Sequence, residues 1–273
     1  MATHVAGAAI RQAMYGRSDL STISLFSGHF INFGYWTGAV STGSITTDQR
    51  TESQASLYRE VLKRADIGAD DTVLEVGCGI GVGAVLALEE FDPKQIIGID
   101  LSADQIARAR RINAEVIARQ SGRLAFQQGS AFVMPAEDAR FDKCISIEAA
   151  QHFDDLPHFA AEANRVLKPG GVLAVATFFA SAETAIRQLA PLIGTIRSGV
   201  DAVTSIGSFV TTLGSSGFEC IGVETIGEHV WHGFDAWIAQ TEYRDSWNRN
   251  WLNVYRDGLI DYYIVIATKP VER

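Results

Sequence analysis

Three groups of residues carry types and spacings that could do chemistry. The first is Val73 to Gly83, where Gly77, Gly79, Gly81 and Gly83 fall within seven positions after an apolar run holding Glu75. Glycines at this density let the backbone turn tightly and approach a ligand. Good helix formers, Ala84 to Glu90, follow. A strand ending in a glycine turn and feeding a helix presents N–H groups to an anionic ligand. Gly79, Gly81 and Ala84 also satisfy the dinucleotide fingerprint G-x-G-x-x-G/A, so the loop alone fits a dinucleotide, a phosphate or a plain turn. The second is Asp100, which ends an apolar run 19 residues beyond Gly81. Two carboxylate oxygens suit paired ribose hydroxyls, with a helix-capping Asp as the alternative. The third is His152, with His29 behind it, because imidazole titrates where proton transfer at neutral pH needs it. A structural histidine is the alternative in both cases.

The surrounding chain supplies elements to hold these residues. Strands are expected at Val73–Val76, Gln95–Asp100, Leu124–Gln128, Phe141–Ile147 and Val172–Phe178. Helices fall between them, the pattern of a parallel doubly wound sheet. Thr46-Thr47-Asp48 can cap a helix to about Ala65 with Leu57, Val61 and Leu62 as its apolar stripe. Ser102 and Gln105 fit a capping box for a helix continuing through Arg119. Asp155-Leu156-Pro157 opens another helix, stopped sharply before Lys168-Pro169-Gly170-Gly171. His152 then sits past the fourth strand, on the carboxyl-end rim where open α/β sheets bind ligands. A helix around Ala8 to Tyr15, mostly helical residues at 181–216, and strands at Phe218–Ile226 and Leu259–Thr268 complete the expectation.

Two aromatic-rich segments have no clean period. Gly28 to Trp36 holds His29, Phe30, Phe33, Tyr35 and Trp36, and reads either as a core edge or as a segment over a ligand cleft. Val230 to Arg256 holds Trp231, Trp237, Trp247 and Trp251, four of the five tryptophans. His29, Tyr35, Trp36 and Trp231 are the candidate substrate contacts, with plain core packing as the alternative.

Taken together, Glu75-Val-Gly-Cys-Gly-Ile-Gly81, Asp100-Leu-Ser-Ala-Asp-Gln105, Gly129-Ser-Ala-Phe-Val-Met-Pro135, Phe141-Asp142 and Arg165-Val-Leu-Lys-Pro-Gly-Gly171 resemble the class I S-adenosylmethionine-dependent methyltransferases. The match runs from about Asp70 to Phe178, and strand signals extend it to the C-terminus. Within that family the chain is similar to macrolide-sugar O-methyltransferases and to sterol or isoprenoid C-methyltransferases. The resemblance implies a Rossmann-like α/β fold with a doubly wound seven-stranded sheet and an antiparallel last strand. Residues 1–69 would be an N-terminal helical cap, and 70–273 the cofactor-binding core, with cap insertions at about 181–216 and 230–256. Gly77, Cys78, Gly79 and Gly81 would lie against the methionine part of S-adenosylmethionine, with Glu75 nearby and a helix N-terminus facing the carboxylate. Asp100 would hold the ribose, Leu101 touch the adenine and Gln105 reach the adenosine edge. Ser130 and Ala131 stand where many relatives have Asp-Ala, so a neutral hydroxyl replaces the carboxylate that accepts from the adenine amino group. Glu148 and Ala149 would sit where cofactor and substrate meet.

The expected activity is therefore methyl transfer to a small, largely apolar metabolite, most simply to oxygen with His152 as general base. Alternatives are C- or N-methylation without a protein base, a non-catalytic cofactor-binding protein, and a nicotinamide-dependent reductase. A net charge of −9 opposes a nucleic-acid partner. His229 and His232 lack the companions of a metal site, so no metal is expected. Cys78, Cys144 and Cys220 are far apart, no apolar run reaches membrane-spanning length, and Met1 to Arg17 lacks a signal layout, which reads as cytoplasmic. A homo-oligomer is left open.

Overall fold

The computed structural model describes residues 23–38 and 44–271; the helix expected around Ala8 to Tyr15 lies outside them. The apolar runs become β1 (Thr72–Val76), β2 (Gln95–Asp100), β3 (Leu124–Gln128), β4 (Phe141–Ile147) and β5 (Leu167–Ala180). They are followed by β6 (Glu219–Thr225) and β7 (Ile260–Thr268). One sheet results, in the order β3-β2-β1-β4-β5-β7-β6. β1 pairs in parallel with β2 on one side and β4 on the other. The chain thus winds outward through β2 and β3 and crosses back to β4, leaving a crevice beyond the carboxyl ends of β1 and β4. β7 enters antiparallel between β5 and β6, as expected of the last strand.

Helices flank the sheet: α1 (Thr47–Arg64), α2 (Val82–Phe91), α3 (Ala103–Ile112), α4 (Ala114–Arg119) and α5 (Leu156–Val166). Later come α6 (Glu183–Leu189), α7 (Gly194–Ser198), α8 (Ile206–Ser215), α9 (Gly227–Ile238) and α10 (Asn250–Arg256). Alternate strand residues feed two apolar clusters, with Val73, Ile96 and Ile145 in one and Leu74, Ile97 and Cys144 in the other. A sheet buried on both faces needs this near-continuous apolar content. No helix among the described residues is long and apolar enough to cross a membrane.

One expected helix is broken. Residues 103–119 divide at Asn113, which sits at φ −98°, ψ 16° between α3 and α4. Its side-chain Nδ2 donates to Ala109 O at 2.8 Å and to Ile80 O at 2.9 Å. An amide bonding a carbonyl four residues back competes with the helix ladder. Here that amide also ties α3 to the glycine loop.

Thr46 caps α1 in a full capping box with Gln49, and Leu57, Val61 and Leu62 are fully buried. The same helix buries Arg50 completely. Its guanidinium donates to Leu25 O (3.0 Å from Nη2), Asn32 O (2.7 Å) and Phe33 O (2.9 Å), and to Ser53 Oγ. Gln54 adds bonds to Phe30 O and from Ser27 N. Polar side chains of one helix thus fix residues 25–34, which have no regular ladder of their own. Arg50→Met should lower unfolding stability by about 3 kcal/mol in urea titration, because Leu25 O loses its donor while Asn32 O and Phe33 O keep only the longer bonds from Gln54 and Trp36. A change under ~0.5 kcal/mol would show that these bonds are replaceable by water.

Candidate active site

The crevice at the switch point holds a cavity of about 210 Å³. Its walls come from Gly77–Ile80 after β1, Asp100–Ser102 and Gln105 after β2, and Ser130–Phe132 after β3. Ile147–Ala149 and His152–Asp154 after β4, and His29–Ile31 before α1, complete them with Tyr58 and Val82.

The loop glycines are used differently. Gly77 (φ +81°) lies against the end of β4, where an added Cβ would come within 2.3 Å of Ala149 Cβ. At Gly79 (φ +53°) an added Cβ would meet nothing within 4 Å. Gly79 therefore opens the loop toward the cavity, while Gly77 lets two strand ends approach. The expected ring of ligand-facing N–H groups is partly turned inward. Gly77 N and Cys78 N donate to Ile99 O at 2.8 and 3.0 Å, Gly79 N to Asp100 Oδ2 at 3.0 Å, and Gly81 N to Cys78 O. The loop is thereby locked to β2.

Asp100 is fixed from both sides, since Ser102 N donates to Oδ1 at 2.9 Å while Gly79 N holds Oδ2. Each oxygen keeps a further lone pair for a ligand hydroxyl. Burial raises its carboxyl above the usual range, and the two backbone bonds oppose that. Glu75 is buried beneath the loop. Its Oε1 accepts from Tyr58 OH at 3.1 Å, whereas Oε2 is buried with no partner. Burial lifts its carboxyl to about 8.

Glu148 follows β4 in the left-handed region (φ +53°). It accepts from Phe33 N at 3.2 Å, Tyr262 OH at 3.0 Å and Gln151 Nε2 at 3.2 Å. Burial lifts it, too, to about 8. Both folded values exceed the unfolded value near 4.5, so the folded state binds these protons more tightly. The stability they supply is full below about pH 4.5 and is lost as pH rises through about 8. Urea midpoints should fall from pH 5 to about 8 and level off above it. Glu75→Gln should flatten part of that slope, and an unchanged slope would refute the assignment.

His152 lies on the cavity wall with Nδ1 3.0 Å from Asp201 Oδ1 and 3.2 Å from Val200 O. Two acceptors at one ring nitrogen place the proton on Nδ1 and the lone pair on Nε2. Asp201 was not foreseen; it is buried (7% exposed) in the turn after α7, distant in sequence from His152. Asp154 lines the cavity, while Asp155 caps α5 through His158 N.

Of the expected contacts, His29, Cys78, Leu101, Gln105, Ser130, Ala131 and Glu148 line the cavity. Glu75, beneath the loop, Gly81, turned toward Phe126, and Tyr35, Trp36 and Trp231 do not. Gly34 (φ +85°) turns the chain, so Tyr35 stacks on His229 at 4.5 Å and Trp36 N donates to His229 O. Trp231 is fully buried and stacks on Trp251 at 5.5 Å. The reason is packing: these rings fill the space between the first segment, α9 and α10. Phe30, Ile31, Phe132 and Phe153 supply the apolar wall in their place. Among the described residues no group of three or more His, Cys, Asp or Glu could hold a metal ion.

Sheet order, glycine loop and a carboxylate at the second strand define a Rossmann-like fold of the methyltransferase class. Residues 74–175 match the family model described as a methyltransferase domain. It is 35% identical over 150 residues to erythromycin 3''-O-methyltransferase of Saccharopolyspora erythraea, covering 54% of this chain. The match spans less than half, 45%, of that relative's length. Geranyl diphosphate C-methyltransferase from Streptomyces coelicolor A3(2) shares the fold at a TM-score of 0.77 and 16% identity, covering 95% of this chain and 97% of that one. The [4+2]-cyclase SpnF does so at 0.68 and 23%, covering 89% and 88%. The same architecture therefore carries more than one chemistry, and the site must decide.

Proposed function

We propose that this protein methylates a hydroxyl of a small, largely apolar metabolite, using S-adenosylmethionine and His152 as general base. The observation that carries this reading is the His152–Asp201 pair at the cavity wall, with Nδ1 and Oδ1 3.0 Å apart. When bound, S-adenosylmethionine supplies a methyl group already activated on a sulfonium. Asp100 accepts from the ribose hydroxyls, and an ammonium end beside the buried, partnerless Glu75 Oε2 would draw that carboxyl into its ionised form. The unfilled space at Gly79 fits the close approach of that ligand. His152 takes the hydroxyl proton at Nε2, and Asp201 holds the ring and stabilises the imidazolium. Phe30, Phe132 and Phe153 exclude water and orient an apolar body. Residues 1–69 act as a cap that contributes the His29–Ile31 wall to the 70–273 core.

A second reading, C- or N-methylation without a protein base, is favoured by that aromatic wall. Incubation with methyl-labelled cofactor and a panel of apolar alcohols and phenols tests the first, with label expected on oxygen. Label on carbon or nitrogen would favour the second. Tight S-adenosylhomocysteine binding with no transfer to any pool would leave a binding protein, and a preference for NADH would overturn the cofactor.

A further inference from the structure

The His152–Asp201 pair draws its two members from distant parts of the chain, so something must hold them face to face. His152 closes a short 3-10 turn, Ala150–His152, just past β4. Asp201 sits on the turn after α7. Val200 N and Asp201 N both donate to Thr195 O, at 3.0 and 3.2 Å, which ties that turn back to α7. But α7 is a five-residue helix none of whose residues is buried, so it is a weak anchor. Across to the β4 end, Ala202 N donates to Gln151 O at 2.7 Å. Two residues on, Ala180 N bonds Thr204 O at 3.0 Å. The turn is thus clamped to β5 from beyond and to Gln151 beside the pair itself. Gln151 adjoins His152 in the chain and, through that bond, the neighbour of Asp201 in space.

The Gln151 side chain explains why its carbonyl can serve as a clamp. It is buried (8% exposed) and is not part of the cavity wall. Its Oε1 accepts from Thr177 Oγ1 at 2.8 Å, and its Nε2 donates to Glu148 Oε2 at 3.2 Å. Thr177 is itself fully buried on β5. Each end of the amide meets the partner its chemistry needs, and a buried polar group left unmade is costly. An amide held at both ends restrains the backbone that carries it, and with it the direction of the Gln151 carbonyl.

We infer that Gln151 is a positioning residue for the proton-accepting pair: locked by Thr177 and Glu148, it holds the 199–202 turn so that Asp201 faces His152 Nδ1. The inference rests on the proposed role of His152. Asp201 Oδ1 and Val200 O, the two acceptors at Nδ1, lie on that one turn. If the turn drifts by about an ångström, both bonds pass out of range together. The neutral ring is then free to carry its proton on Nε2, where it can no longer act as a base toward the cavity.

Proton–nitrogen correlation spectra of protein carrying isotope-labelled histidine read which ring nitrogen is protonated, with His152→Ala identifying the signals. The wild type should show the His152 proton on Nδ1. Gln151→Ala should move about a third or more of the population to the Nε2–H form. Thr177→Val keeps the shape and removes the hydroxyl, and should shift the spectrum the same way. Thr177→Ser keeps the donor and should return it toward wild type, a distinction that packing alone would not make. Thermal unfolding establishes that each variant is folded. On an acceptor from the alcohol and phenol panel, Gln151→Ala should lower kcat by about tenfold with KM unmoved, and should cause no further loss in an Asp201→Asn background. A His152 proton that stays on Nδ1 in folded Gln151→Ala and Thr177→Val, or a loss that adds to that of Asp201→Asn, would overturn this inference alone. A wild type with the His152 proton on Nε2 would overturn the base assignment and this inference with it.

Discussion

His152→Ala should lower kcat by about 10²–10⁴-fold while S-adenosylhomocysteine binding stays within about threefold of wild type. The asymmetry follows from position. His152 lines the cavity after β4, whereas the proposed cofactor contacts lie on the loops after β1, β2 and β3. Its Nδ1 is engaged by Asp201 and Val200, so the ring's remaining lone pair belongs to Nε2. Asp201→Asn tests the same device from the other side. An amide can point its NH₂ at Nδ1 and force the proton onto Nε2, which destroys the base without emptying the space. A loss of about tenfold to a hundredfold in kcat, with little change in KM, is expected. If His152 were only structural, both variants would lose thermal stability and retain turnover in proportion to folded protein. Near-full turnover by folded His152→Ala would remove the base and favour a carbon acceptor.

Asp100→Ala should weaken S-adenosylhomocysteine binding by about a hundredfold, near 3 kcal/mol. The carboxylate has two functions that the substitution removes together. It can accept from two ribose hydroxyls, and it holds Gly79 N and Ser102 N, which fixes the glycine loop against the start of α3. Asp100→Asn keeps one oxygen acceptor and presents an NH₂ to one of those two N–H groups, so a loss of about tenfold is expected. Calorimetry with the product cofactor measures both. An Ala variant within threefold of wild type would show that Asp100 is only a turn residue.

The sequence made the proposed cofactor half of the site legible because its signals are local. A glycine cluster after an apolar run, and an acid ending the next run, need only the neighbouring residues to be understood. His152 was legible for the same reason, as an imidazole just past a strand. Asp201 was not: in Ser198-Gly-Val-Asp201 it reads as an ordinary turn acid, and only the long-range approach of that turn to residues 151–152, where Ala202 N donates to Gln151 O, gives it a partner. The segment from Gly28 to Trp36 failed differently. Without a period there is no face to read, so nothing local says that Phe30 and Ile31 line the cavity while Tyr35 and Trp36 pack away from it. The left-handed turn at Gly34 makes that division. Trp231 was misjudged because a tryptophan's area serves core and pocket equally. Asn113 looked like mid-helix because its bond to Ile80 O is a long-range one.

The Arg50 and Gln54 bonds to residues 25–34 have a consequence for amide exchange. Ser27 N is held by Gln54, Phe33 N by Glu148 and Tyr35 N by Ser53 O. Every one of these acceptors sits on α1 or at the end of β4 rather than within the segment. Their deuterium uptake should therefore be slow and correlated with that of the middle turns of α1, as one cooperative opening unit rather than a fraying loop. The wall carrying His29, Phe30 and Ile31 should then open only together with that unit.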